Sequence, residues 1–300
     1  MSMKYNKVAV LMGGPSAERE VSLRSGAAVA KGLRQAGYDV TDVDITGHDV
    51  NIPSGAEAVF IAMHGEFGED GQVQQILQDR GIPFTGSGPE SSKASFDKVL
   101  SKKIFVRNNI PTPRYELLRA GGQATLSFPL VVKPARQGSS IGVHKVETGA
   151  EWSTSFSDAL KYDENVIVEE FVKGRELTAG IVCGRALPVI EIVAPDNWYD
   201  FEAKYKYTKG KTEYLVPAPI SSKATEECQK LAMDVFRSLG CEGMGRIDFL
   251  LTDDEKLYAL ELNNIPGFTE TSLLPKAAAS AGISFSGLCD MIMQSARKHG

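Results

Sequence analysis

The chain has 300 residues, of which 42% are hydrophobic and 24% charged, an ordinary globular composition long enough for roughly two or three domains with a real core. Its 33 basic against 38 acidic residues leave a net charge of -5, which excludes the basic footprint of a nucleic-acid or anionic-membrane binder. Cys183, Cys228, Cys241 and Cys289 are widely spaced, without Cys-x-x-Cys, and His48, His64, His144 and His299 lack ligand spacing; a disulfide framework and a zinc site are both disfavoured, and buried cytoplasmic thiols are expected.

The N-terminus runs from Met1 to Lys7 straight into Val8–Met12 with no long apolar region, so neither a signal peptide nor a membrane span is expected. Strand and helix patterns then alternate: Val8–Met12, a helix from about Glu18 to Ala36, Asp39–Asp44, Ala58–Met63 and a helix over Gly71–Gln78. Such βα alternation predicts a mostly parallel sheet, with ligands at the carboxyl ends of its strands. Two loops sit there, Gly13-Gly14-Pro15-Ser16-Ala17-Glu18 and the stretch from His64-Gly65 to Gly71. The first lacks the spacing of a dinucleotide fingerprint, which weakens a dehydrogenase reading.

A helix from about Asp97 to Asn108 ends before Pro111 and Pro113, whose prolines mark a boundary. Strand Leu130–Pro134, the loop Ala135–Ser140 and strand Ile141–Val146 follow. The spacing of a Walker loop is absent. The Gly138-Ser139-Ser140 turn nevertheless offers successive N–H and hydroxyl donors, and Lys133 a cation, which together suit nucleotide phosphates; a plain hairpin with an exposed lysine is the other reading. Strand Asn165–Val172 turns at Gly174-Arg175-Glu176 into Leu177–Cys183. Acidic residues at the end of an apolar strand can bracket an adenosine, or form an ordinary domain edge.

Beyond lie an irregular stretch, Pro195–Lys211, a helix Lys223–Leu239 and an Ala-rich helix after Pro275. The Tyr and Lys content of the irregular stretch points to a lid. Between the helices, Gly245–Leu251 and Leu257–Asn263 flank Thr252–Lys256 and read as a β-hairpin. Closing it symmetrically on Asp254-Glu255 sets Asp248 opposite Glu261 and Arg246 opposite Asn263, all four on one face. Facing carboxylates repel, and Asp, Glu and an Asn carbonyl are hard oxygen ligands suited to Mg²⁺ held with substrate phosphates. A solvated face of mixed charge stands as the alternative, because Asp254-Glu255 is a poor two-residue turn and the register can slip.

Taken together, these motifs resemble those of the D-alanine–D-alanine ligase family, ATP-grasp enzymes of peptidoglycan precursor synthesis. The resemblance runs the length of the chain: Gly13–Leu23, His64-Gly65 through Glu69-Asp70-Gly71, Thr85-Gly86-Ser87-Gly88, Asp97-Lys98, Val132-Lys133-Pro134 with Gly138-Ser139-Ser140, Glu202-Ala203-Lys204-Tyr205, Gly245-Arg246-Ile247-Asp248, and Glu261-x-Asn263 before Pro266-Gly267. Asn264 stands where the family often carries Thr, and Phe268 where it often carries Met.

The resemblance implies an α/β three-domain ATP-grasp fold: an N-terminal Rossmann-like, pre-ATP-grasp parallel sheet (1–96), a central ATP-grasp subdomain (97–176) and a C-terminal subdomain (177–300) with the metal and catalytic residues. It implies ATP-dependent ligation of two D-alanines through a D-alanyl phosphate, by a cytoplasmic homodimer that binds neither nucleic acid nor membrane. By similarity, Lys98, Lys133 and Lys204 hold the ATP phosphates, and Glu169, Glu170, Phe171, Val172 and Glu176 take the adenosine. Asp248, Glu261 and Asn263 match ligands of Mg²⁺ or Mn²⁺. Arg246 matches the stabiliser of developing charge. Glu18 matches the partner of the first substrate's ammonium, with His64 on the neighbouring loop. Gly267, Ser272 and Leu273 match contacts to the second substrate. Ser139 and Tyr205 match a hydrogen-bonded triad with Glu18 that closes with the lid and excludes water. Two rivals remain: a D-alanine–D-lactate ligase, against which Tyr205 speaks, and a catalytically silent nucleotide-binding regulator, against which the intact Arg246, Asp248, Glu261 and Asn263 speak.

Overall fold

The computed structural model describes residues 3–138, 140–194 and 212–300. The first unit comprises β1 (Lys7–Gly13), α1 (Arg19–Gln35), β2 (Asp39–Ile45), β3 (Ala58–Ile61), α2 (Gln72–Asp79) and α3 (Pro89–Phe96). Its strands run parallel in the order β2-β1-β3. Val8–Met12 and all of β3 are buried, which is why both read as continuous apolar runs: a central parallel strand is covered on both faces. The carboxyl ends of β1 and β3 thus bring the Gly13–Glu18 and His64–Gly71 loops together.

Next, α4 (Lys98–Arg107) is capped by Asp97, which accepts from the N–H groups of Val99 and Leu100 at 2.8 and 3.1 Å. Strands β4 (Tyr115–Leu118), β5 (Leu130–Pro134), β6 (His144–Val146) and β7 (Val166–Glu170) form an antiparallel sheet ordered β4-β7-β5-β6. Trp152, Phe156 and Ala159 of α5 (Gly149–Ala159) cover it. The strand expected over Ile141–Val146 is shorter than its apolar pattern suggests. Ser140 and Gly142 have φ of 57° and 68°, so the chain is still turning and pairing starts only at His144.

The third unit holds β8 (Arg175–Val182), β9 (Arg185–Ala186), β10 (Ile190–Val193), β11 (Glu213–Leu215), α6 (Ser222–Ser238), β12 (Met244–Leu251), β13 (Leu257–Asn263), α7 (Leu273–Ser280) and α8 (Phe285–Ser295). Its antiparallel sheet runs β11-β10-β8-β12-β13, with β9 on β8, and α4 and α6 bury Phe105, Cys228, Val235 and Phe236 behind it. The Ala-rich helix expected after Pro275 is two: α7 accommodates Pro275 in its first turn, and Gly282, at φ 79°, breaks the chain before Ser284 caps α8. Leu274, Leu288, Ile292 and Met293 then join the core of the N-terminal sheet. Gly32 permits the approach: a Cβ there would lie 2.8 Å from Cys289 Sγ. All four cysteines are free thiols, three of them buried.

Candidate active site

The β12/β13 hairpin pairs Asp248 with Glu261 and Arg246 with Asn263. Its tip differs from the symmetric closure: Leu251 pairs with Leu257 across a five-residue loop in which Glu255 takes φ 56°. A bulge between Asp248 and Phe249 then shifts the register, restoring the expected opposition. Arg246 forks onto Asp248, Nε to Oδ1 at 3.0 Å and Nη2 to Oδ2 at 2.9 Å. Thr178 of β8, cross-strand from Asp248, donates its hydroxyl to Oδ1 at 2.6 Å. Lys98 Nζ lies 3.2 Å from Glu261 Oε2 and donates to the Gln137 carbonyl at 2.7 Å. The Asn263 side-chain oxygen accepts from Ile265 N–H at 3.1 Å and keeps a second lone pair. Two carboxylates and an amide oxygen on one face, flanked by cations, fit a hard divalent ion that completes its shell with phosphate oxygens.

Asp248 and Glu261 of this face line a cleft of ≈ 500 Å³ between the two antiparallel sheets. Lys133, Glu169, Glu170, Phe171, Val172 and Glu176 line it, so all the adenosine-side residues expected from sequence meet there, with Lys98 and Lys133 beside them. Glu169 is 2% exposed. Lys133 Nζ sits 2.7 Å from its Oε2 and Lys102 Nζ 2.7 Å from its Oε1. Burial alone would raise the Glu169 pKa, but Lys102 and Lys133 outweigh it and hold it below the usual carboxylate range. Burial also pushes the Lys102 ammonium down to about 8 against the pull of Glu169. Glu170 faces the other way along the strand, its carboxylate on Arg114 Nε at 2.7 Å. Lys145 Nζ lies over the Phe171 ring, 4.1 Å from its centre.

At the far end the strand-end loops converge. Glu18 precedes α1 without capping it; a Cβ built on Gly138 or on Gly65 would lie 2.8 Å from its Oε2. The Glu18 carboxylate therefore reaches the Gly-Ser-Ser loop of the central unit across two glycines. Ser139, Lys204 and Tyr205, expected to complete that region, lie outside the described residues. His64 is buried, Nδ1 2.9 Å from the Ile265 carbonyl and Nε2 2.8 Å from Ser25 Oγ. Burial raises the Glu69 pKa, and its carboxylate stands 3.5 Å from His64 Nδ1. Ser272 forms the N-terminus of α7, its Oγ accepting from Thr269 N–H at 3.0 Å. Gly267 packs on it, with 3.3 Å between an added Cβ and Ser272 Oγ, and Leu273 is buried next to it.

Residues 7–58 match the family model for the D-ala D-ala ligase N-terminus, and residues 100–294 that for the D-ala D-ala ligase C-terminus. The D-alanine–D-alanine ligase of Methylacidiphilum infernorum is 45% identical over 287 residues, covering 96% of this chain and 94% of its own. That of Syntrophotalea carbinolica is 46% identical over 300 residues, covering 98% and 97%. The chain belongs to the D-alanine–D-alanine ligase family. The crystal structure of the Bacillus anthracis D-alanine–D-alanine ligase complexed with ATP superposes with a TM-score of 0.85 at 31% identity over 97% of each chain. The two antiparallel sheets around the cleft, with the parallel sheet ahead of them, are the ATP-grasp fold.

Asn264 and Phe268 both make structural contacts. Asn264 Nδ2 donates to the Glu69 carbonyl at 3.0 Å, and Phe268 packs edge-on to Phe60, ring centres 5.8 Å apart. Sequence reasoning missed Thr178, whose hydroxyl steadies Asp248, and Lys102. For Lys102 a signal existed: it follows Lys98 by four residues and so shares its helix face.

Proposed function

We propose that the protein joins two D-alanines into D-alanyl-D-alanine at the expense of ATP, the step that supplies the dipeptide of peptidoglycan precursors. The observation that carries this is the cross-strand set Arg246, Asp248, Glu261 and Asn263, of which Asp248 and Glu261 line a cleft that also presents Lys98 and Lys133. A carboxylate cannot expel oxide, so its oxygen first attacks the γ-phosphorus of ATP and ADP departs. The amine of a second D-alanine then adds to the acyl carbon, and collapse of the tetrahedral species expels phosphate while the amine's proton is lost. Lys98 and Lys133 bind and orient the phosphates. Arg246, with an always-charged fork fixed by Asp248, faces charge as it develops on the transferring phosphoryl group and the oxyanion. Glu18 accepts the first substrate's ammonium, and Ser272 with the α7 N-terminus receives the second carboxylate. Asp248, Glu261 and Asn263 would hold Mg²⁺ or Mn²⁺, which neutralises charge on the ATP phosphates.

The test is phosphate release from Mg-ATP with and without D-alanine. Release should require D-alanine and match D-Ala-D-Ala mole for mole by mass spectrometry, with L-alanine inert; hydrolysis independent of D-alanine, without dipeptide, would remove the ligase reading. The family's homodimer and cytoplasmic location belong to the same proposal. None of the described helices is long and apolar enough to cross a membrane, and a single-chain mass by light scattering would remove the dimer.

A further inference from the structure

Leading inward from the cleft wall, Lys133, Glu169 and Lys102 form a row of three buried charges, 8%, 2% and 1% exposed. The two lysines are not equivalent. Lys133 lines the cleft, whereas Lys102 does not; Lys102 lies on α4, where its Nζ also donates to Thr112 Oγ1 at 2.5 Å. Thr112 in turn donates to the Ala259 carbonyl at 2.7 Å, so Lys102 is tied to the sheet behind it. Glu169 has one ammonium on each oxygen. Phosphate entering the cleft competes with Glu169 for Lys133, the one of the two that faces it. A carboxylate this deeply buried is costly without a partner, so Lys133 can turn to phosphate only if another cation stays on Glu169.

We propose that Lys102 is a positioning residue for nucleotide binding: the fixed counter-charge that stays on Glu169 and so releases Lys133 to the phosphates. It acts through Glu169 and Lys133 and touches no substrate. The inference rests on the reading of the cleft as the ATP site. It separates two lysines that look alike in sequence, one for the ligand and one for the wall. Without Lys102, Lys133 is pinned as the sole partner of Glu169, and phosphate capture must strand a buried carboxylate.

The experiment measures ADP and adenosine affinity by calorimetry, with Mg²⁺ present, on the full chain and on Lys102→Met, Lys102→Arg, Glu169→Gln and the double variant Lys102→Met/Glu169→Gln. Lys102→Met should weaken ADP by about tenfold or more, the scale of losing one charge-assisted contact, and adenosine by less than about threefold. The double variant should bind ADP more tightly than Lys102→Met alone, because neutralising Glu169 frees Lys133. Lys102→Arg should keep ADP within about threefold of the parent, since it retains the charge. Equal loss of ADP and adenosine, or a double variant no tighter than the single one, overturns the inference. Should Lys102→Met not fold, Thr112→Val carries the test: it removes the anchor of Lys102 and should weaken ADP but not adenosine, and no such difference overturns the inference as well. A parent chain that binds no ADP overturns the nucleotide reading, whereas a parent that binds it with unresponsive variants overturns this inference alone.

Discussion

Arg246→Ala tests whether the hairpin face is catalytic or architectural, because the two roles have separable magnitudes. The Arg246 side chain is 16% exposed and Asp248 10%, joined by two hydrogen bonds. Removing one partner of a fully buried pair costs about 3–5 kcal/mol, but this pair keeps some access to water and Asp248 retains Thr178, so about 2 kcal/mol of stability is expected. At this chain length that lowers the melting temperature by roughly 3 °C. Loss of one donor to developing charge costs about 3 kcal/mol of transition-state stabilisation, or a hundredfold or more in turnover. Turnover is read as D-alanine-dependent phosphate release at saturating Mg-ATP, well below the melting point so that both forms stay folded. Nucleotide affinity should change much less than turnover, since Lys98 and Lys133 remain. Arg246→Lys should recover part of the stability but little of the rate, because a point charge cannot fork onto Asp248 and face the substrate together. A folded Arg246→Ala that turns over within threefold of the parent would make the residue architectural.

Gly138→Ala places a Cβ 2.8 Å from Glu18 Oε2; the carboxylate must move, and the KM for D-alanine should rise by roughly tenfold with little change in melting temperature. Burial alone would raise the Asp163 pKa, but hydrogen bonds from Arg136 and from Asn165 N–H hold it below the usual carboxylate range. A depressed carboxyl stabilises above its unfolded pKa and loses that contribution as pH falls through its folded one. The melting difference between the parent and Asp163→Asn, large at neutral pH, should therefore shrink below about pH 4; a difference constant with pH would refute it. Ser25→Ala removes both the acceptor of Phe268 N–H and the partner of His64 Nε2. It should cost about 2 kcal/mol by thermal unfolding, and a loss under about 0.5 kcal/mol would mean water replaces the hydroxyl.

The hairpin shows what a sequence can and cannot specify. The face shared by Arg246, Asp248, Glu261 and Asn263 was legible because strand period groups Arg246 with Asp248 and Glu261 with Asn263, and symmetric closure sets the two pairs opposite each other. The tip was not: Glu255 adopts φ 56° without being glycine, and the bulge at Asp248/Phe249 that offsets the longer loop has no marker. The parallel sheet was legible in its unbroken apolar strands. Helix α5 and strands β4, β10 and β11 were not, since they are short or edge elements whose faces become apolar only once a neighbouring layer exists. The row Lys102–Glu169–Lys133 fails differently. Its residues are ordinary polar types, and although Lys102 shares the helix face of Lys98, only packing decides that it is buried.

The contacts hardest to read from sequence are those that hold the substrate end together. Asn264 and Glu69 are 195 residues apart, Phe268 and Ser25 243. Ser25 Oγ accepts from Phe268 N–H and is hydrogen-bonded to His64 Nε2, while His64 Nδ1, facing a carbonyl that can only accept, donates to Ile265. His64 thereby ties the β3 loop to the backbone that leaves the hairpin at Asn263 and leads to Gly267. Phe268 presses its ring on Phe60 of β3 and Phe285 of α8, closing the same junction from the apolar side, and Asn264 ties it again through the Glu69 carbonyl. Asn264 and Phe268 thus both serve one joint, between the loop that carries His64 and the strand end that carries Asn263, a proposed metal ligand. That joint lies between the proposed amino-acid end of the site and its phosphate end, and under the proposed function it sets the distance a substrate carboxylate must span to meet the γ-phosphorus with its ammonium on Glu18.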